Sequence, residues 1–241
     1  MQREYFVDHS AALGRSMERL VFSADGGHAG LPVIVFPSSM GRFFEFEHFG
    51  MVEAVRDKVE RGQIQLWCVD SVDSESWYAR DVPGRWRIAR HLQYERYIVD
   101  QLIPHIRWRT WRESVAVLGC SFGGFHAMSM ALKHPDVITA ALSMSGAFDI
   151  VAGMLRGYYD DDAYFTLPTH FLPNLGESWR LDRMRRNTYV LATGHHDQCW
   201  DDNERLGRIM REKGIPVRLD VWGDGTGHDW PWWKRMAQEY L

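Results

Sequence analysis

The stretch "VAVLGCSFGGFHAM" (115–128) constrains the fold more than any other part of the chain. Its first half belongs to the apolar run "SVAVLG" (114–119), which reads as a buried strand. Residues 124–135 read as a helix stopped near Pro135. Between the two, Gly119-Cys120-Ser121-Phe122-Gly123 matches G-x-S-x-G, and a strand feeding a helix is the context that a nucleophile elbow requires. So tight a turn needs Gly119 and Gly123 to let backbone approach backbone. It lifts Ser121 above the sheet edge, beside the positive end of the following helix.

The same alternation runs through the rest of the chain. Strands are predicted at 16–24, 31–39, 64–71, 138–146, 188–194 and 217–222. Helices are predicted around 48–61, over 86–107, over 201–213 before Gly214, and in the closing "WPWWKRMAQEYL". On 86–107 the apolar positions Ile88, Leu92, Ile98, Leu102 and Ile106 carry the amphipathic pattern. With no repeat and no low-complexity linker, this predicts one α/β domain over 1–241, a mostly parallel central sheet with helices on both faces. Ligands of such sheets bind at the carboxyl ends of the strands. The irregular segment 147–186 is expected to start and end at that edge and to cap the site, the competing reading being an excursion unrelated to substrate.

Composition narrows the class. At 45% hydrophobic and 25% charged residues, 241 residues can build a core without disulfides or a structural metal. A net charge of −4 argues against a nucleic-acid binder, and "RMRR" (183–186) reads as a solvated end. Cys68, Cys120 and Cys199 cannot all pair and fit no zinc or CxxC spacing, which favours a reduced setting. The N-terminal residues have no apolar signal region, and runs such as "LPVIVF" fall short of the roughly 20 residues of a membrane span. A soluble, cytoplasmic protein is expected. Eleven tryptophans are present, and Trp77, Trp179, Trp200 and Trp230 are placed on loops, as walls of an apolar pocket or as loop anchors.

A serine nucleophile needs a base, and the base an orienting acid. In chains built on this elbow the order is Ser, then Asp or Glu, then His. Of eleven histidines, His228 follows the last predicted strand in a glycine-rich loop, where that base belongs. The acid is sought after strand 188–194, within "GHHDQCWDDN" (194–203). Asp197 lies on the loop, whereas Asp201 and Asp202 fall where capping explains them. His195 and His196 beside Asp197 suggest a metal cluster when read locally. Adjacent loop residues need not point the same way, and no third ligand stands at suitable spacing, so neither metal nor cofactor is expected. Oxyanion stabilisation calls for the N–H of Phe122 and one from the loop after strand 31–39, where Ser39 is chosen over Ser38 and Met40.

From about 31 to 236 the chain resembles the esterase D family of the α/β-hydrolase superfamily, whose members include S-formylglutathione hydrolases, feruloyl and enterochelin-type esterases and mycolyltransferases. The resemblance rests on "GCSFGGFHAMSMALKHPDVITAALSMSGAFD", on Gly194, Asp197 and Asn203 in "GHHDQCWDDN", and on "GHDWPWW", which contains His228. It implies an α/β-hydrolase fold and a serine esterase that cleaves a small-molecule carboxylic or thio ester through an acyl-enzyme, using Ser121, Asp197 and His228. Where many relatives have His-Gly after the early strand, this chain has Pro37-Ser38. Acyl transfer to an alcohol, or a binding protein that kept the fold, are the alternatives. The acyl and alcohol groups and the oligomeric state are not legible in the residues.

Overall fold

A computed structural model describes residues 1–26, 30–223 and 225–241. The chain runs β1 (Gln2–Ser10), β2 (Arg15–Ser23), β3 (Leu31–Phe36), α1 (Glu45–His48), α2 (Met51–Ala54), α3 (Arg56–Glu60), β4 (Ile64–Val69), α4 (Gly84–Arg96) and α5 (Ile103–Thr110). It continues with β5 (Val115–Cys120), α6 (Phe122–Lys133), β6 (Ile138–Met144), α7 (Asp161–Thr166), α8 (Pro168–Asn174), α9 (Trp179–Met184), β7 (Thr188–Gly194), α10 (Trp200–Glu212), β8 (Arg218–Trp222) and α11 (Trp230–Tyr240). The strands form one sheet in the order β1-β2-β4-β3-β5-β6-β7-β8, parallel from β4 to β8, with β2 antiparallel to both of its neighbours.

The continuous apolar runs of the inner strands serve two cores at once. Along β3, Val33 and Val35 face one core while Ile34 and Phe36 face the other, as the period of two requires. The first core is closed by α4, α5, α6 and α10 through Ile88, Ile106, Phe125 and Leu206. The second is closed by α2, α3 and α11 through Val52, Val59, Trp233 and Met236. None of the described helices is long and apolar enough to cross a membrane.

Three elements differ from the expectation. β1 was not anticipated, because an edge strand open to solvent carries Arg3, Glu4 and Asp8 and shows no clean alternation. The helix expected at 48–61 is three short pieces, the second entered through Gly50 at φ 75°. The helix expected at 86–107 widens into a π-helical stretch over Tyr97–Leu102. Pro104 follows two residues on; it has no N–H to give to the preceding turn, and its ring crowds that turn.

Segment 147–186 is helical, with a π-helical turn at Val151–Leu155 followed by α7, α8 and α9. Ala163, Leu167, Leu172, Leu181 and Met184 from it are buried in the first core. Because β6 and β7 are parallel, only its start lies at the carboxyl edge; its end returns to the opposite edge, contrary to the expectation for both ends. Of the four tryptophans placed on loops, Trp77 does lie in a turn but is fully buried, edge-on to Phe125 at 5.5 Å. Trp179, Trp200 and Trp230 each open a helix.

Two measurements test this packing. Trp77→Ala is expected to lower the unfolding free energy by about 3–5 kcal/mol in urea titration, the range for emptying a large aromatic site. The second concerns Glu95 on α4, which accepts from Lys133 and lies 2.8 Å from His134 Nε2 at the end of α6. Burial alone would raise the Glu95 carboxyl, but His134 and Lys133 hold it down at about 2, against an ordinary 4.5. A folded value below the unfolded one stabilises above about pH 4.5, and that contribution is lost as pH falls toward 2. Glu95→Gln should therefore cost about 2–3 kcal/mol at neutral pH, with the gap to wild type closing between those two pH values.

Candidate active site

Ser121 sits at the turn from β5 into α6, at φ 55° and ψ −120°, a region that non-glycine residues seldom occupy. Its N–H donates to Met144 O at 2.9 Å, and its own carbonyl accepts from Gly124 at 3.0 Å and Ala147 at 3.3 Å. Side chains at the flanking glycines are excluded by distance. A Cβ on Gly119 would lie 2.2 Å from the backbone of Gly123, and one on Gly123 would lie 2.5 Å from Pro37 O. The elbow is thus pressed against the end of β3, which brings the loop after β3 beside the start of α6.

His228 follows β8 and enters from the other side. Its Nε2 is 2.8 Å from Ser121 Oγ, and its Nδ1 is 2.9 Å from Asp197 Oδ1. The two loops that carry His228 and Asp197 are tied together by backbone, His196 N–H donating to Thr226 O at 3.1 Å. Trp233 packs edge-on against the imidazole at 5.0 Å. Asp224, in the glycine-rich loop before His228, lies outside the described residues.

Asp197 is buried. Burial alone would raise its carboxyl, but hydrogen bonds from His228, from Ser145 and from the Cys199 N–H hold it below the ordinary carboxylate value. Oδ1 takes both the Cys199 N–H, at 2.8 Å, and the imidazole. Ser145, which sequence reasoning did not single out, follows β6 at φ 56° and accepts the Trp233 indole N–H at 2.8 Å, so its own proton is free to face Asp197. The rival acids stand elsewhere. Asp201 is exposed on α10, and Asp202 accepts the N–H groups of Phe148 and Asp149 at 2.5 and 2.7 Å. Asp202 therefore pins the start of segment 147–186 to α10, a long-range role that its position at a helix start conceals. Asn203 does the same for Gly146 O, at 2.9 Å.

Among the described residues, the one grouping with metal-ligand spacing is Asp197, Cys199 and His228, with donor atoms within 4.8 Å of one another; His195 and His196 are not part of it. Two of its three members already bond to each other. Burial, followed by the nearby charges of Asp197 and Asp202, pushes the Cys199 thiol up to about 12, so the thiolate that a metal would need is disfavoured.

Phe122 opens α6, so its N–H is one of the first-turn donors without an intrahelical acceptor. In the loop after β3, Ser38 gives its N–H and its hydroxyl to Glu45, at 2.6 and 2.8 Å, and Met40 gives its N–H to Asp73 at 3.2 Å. Among the described residues, the Ser39 N–H is the one of the three with no such partner. The Ser39 hydroxyl accepts from Tyr78 at 2.7 Å. Glu45, Asp73 and Tyr78 carry no motif, and only the folded loop reveals what they hold.

A family model described as "Putative esterase" matches residues 10–240. No curated protein sequence matches the chain. Among solved structures, a ferulic acid esterase is similar at 19% identity and a TM-score of 0.77, covering 100% of this chain and 97% of its own. An S-formylglutathione hydrolase from Agrobacterium tumefaciens is similar at 17% identity and 0.76, covering 99% and 92%. One from Staphylococcus aureus is similar at 16% and 0.72, covering 99% and 94%.

The elbow geometry predicts that Gly123→Ala, which drives a methyl into the Phe36 and Pro37 carbonyls, lowers stability by about 1–3 kcal/mol. Displacing the elbow by even about 1 Å should also cut kcat/KM about a hundredfold. Thermal denaturation and steady-state ester hydrolysis on the same preparation check both.

Proposed function

We propose that the chain, which belongs to the putative esterase family whose model it matches, works as a carboxylic ester hydrolase through an acyl-enzyme on Ser121. The reading is carried by the line Asp197–His228–Ser121, joined by contacts of 2.9 and 2.8 Å at the carboxyl edge of the sheet. Ser121 Oγ attacks the ester carbonyl carbon as His228 Nε2 takes its proton. Asp197 fixes the tautomer with the proton on Nδ1 and stabilises the imidazolium that forms. The developing oxyanion is met by the N–H groups of Phe122 and Ser39. Collapse expels the alcohol, or a thiol from a thioester, which takes the proton from His228. Water then repeats the sequence on the acyl-enzyme and frees the acid. No step calls on a metal or a cofactor.

Substrate is a small ester that reaches Ser121, which is half-buried, from the open edge of the sheet. The start of segment 147–186 is its nearest wall in this reading. Ala147 N–H bonds to the Ser121 carbonyl, and Asp202 holds Phe148 and Asp149 in place.

A panel of p-nitrophenyl and thioester substrates, with a fluorophosphonate probe alongside, tests the proposal. Ser121→Ala and His228→Ala should lose kcat by at least about 10⁴-fold, and Asp197→Asn by a similar factor through loss of the tautomer. Ser121→Ala should also lose all probe labelling. Hydrolysis or labelling that survives in Ser121→Ala would sink the assignment.

A further inference from the structure

Asp73 and His126 form a buried pair outside the residues assigned above. Asp73 lies in the turn after β4, His126 on α6, and both side chains are 1% exposed. His126 Nε2 stands 2.9 Å from Asp73 Oδ1. A carboxylate only accepts, so Nε2 carries the proton. The second oxygen, Oδ2, takes the N–H of Met40 at 3.2 Å. One carboxylate thus joins the loop after β3 to the helix that Phe122 begins. His126 also packs edge-on against the Phe122 ring at 5.0 Å, and Tyr78, five residues beyond Asp73, does so at 5.5 Å while bonding to Ser39.

Met40 makes the arrangement informative. Its φ is 54°, a left-handed conformation that a side chain disfavours, and it is 53% exposed, so burial of its own side chain does not hold it there. A strained residue persists only when its surroundings over-determine it. Two hydrogen bonds fix the peptide units around it: Gly41 N–H donates to Ser38 O at 2.9 Å across the turn, and the N–H of Met40 itself donates to Asp73. On the other flank Glu45 takes the Ser38 N–H and hydroxyl. The peptide between the two is the one that presents the Ser39 N–H.

We propose that Asp73, oriented by His126, is a positioning residue that locks Met40 in its left-handed turn and thereby aims the Ser39 N–H at the oxyanion. This rests on the serine-hydrolase reading above. Asp73 touches neither substrate nor the reacting atoms. Its removal raises the barrier of the chemical step and leaves ground-state binding in place.

The test compares Asp73→Leu and Asp73→Asn with wild type in steady-state hydrolysis, alongside the inhibition constant of an arylboronic acid. The tetrahedral boronate formed on Ser121 places an oxygen where the oxyanion sits. Asp73→Leu should lower kcat about a hundredfold, leave KM within about threefold, and weaken boronate binding by a factor that tracks the loss in kcat. Asp73→Asn keeps one acceptor for Met40 and should stay within about tenfold of wild-type kcat. Asp73→Ser, too short to reach either partner, is the second route to the same loss if the leucine variant does not fold. Wild-type kcat in a folded Leu or Ser variant overturns the proposal. So does a loss that falls on KM alone, or one that leaves boronate affinity unchanged. Ser121→Ala run beside them separates the two failures: a dead Ser121→Ala with an unaffected Asp73→Leu removes only the positioning role, whereas an active Ser121→Ala removes the underlying mechanism.

Discussion

The close approach of the β5–α6 turn to the end of β3 is the constraint on which the rest of the site depends. Gly119 meets Gly123 backbone to backbone, and Gly123 meets the carbonyls of Phe36 and Pro37. No side chain fits at either position, so the strand, the helix and the neighbouring strand-end loop are brought together by absence of bulk. Three consequences follow from that one contact. Ser121 is held at φ 55°, turned out of the sheet. The first N–H groups of α6 face the same space. And the loop after β3 is brought up against the start of α6, the placement on which the proposed oxyanion site rests.

How much of this was legible depended on whether a role was local. The inner strands, which face a core on each side, read as unbroken apolar runs and were found with ends that agree or differ by at most three residues, 188–194 being exact. Ser121, Asp197 and His228 were chosen by strand-end position and chain order, and the fold brings the three into hydrogen-bonding distance. What sequence could not show were bonds that span the chain. Asp202 looked like a helix-capping residue, yet it reaches Phe148 and Asp149 some fifty positions away. Trp77 looked like a loop aromatic and lies in the core, because the segment after β4 folds inward over α6. β1 was missed for the opposite reason: its edge position lets polar residues occupy both faces, which erases the signal.

Three buried or half-buried carboxylates bond to the loops and side chains of the proposed site, an arrangement that would oppose catalysis if their charge were uncompensated. Each is instead answered locally. Asp197 receives His228 and the Cys199 N–H, with Ser145 beside it. Asp73 receives His126 and the Met40 N–H, and Glu45 receives the Ser38 N–H and hydroxyl. For Glu45, burial still outweighs those hydrogen bonds and pushes the carboxyl above its ordinary value.

The same carboxylates explain how a loop without the His-Gly of many relatives can present a single donor. In a tight turn every backbone N–H seeks an acceptor, and an unmatched one carries a cost. Here the N–H groups on either side of Ser39 are taken by side chains from elsewhere in the fold, Glu45 from α1 and Asp73 from the turn after β4. In the proposed mechanism, the Ser39 N–H, a donor left with no such partner, gains one when charge develops on the carbonyl oxygen. Its contribution is then larger in the transition state than in the ground state, the condition under which binding energy becomes rate. Pro37 and Ser38 are on this view not a defect in the oxyanion loop. They belong to a loop that keeps a local turn, Gly41 N–H to Ser38 O at 2.9 Å, and adds to it acids drawn from two other elements.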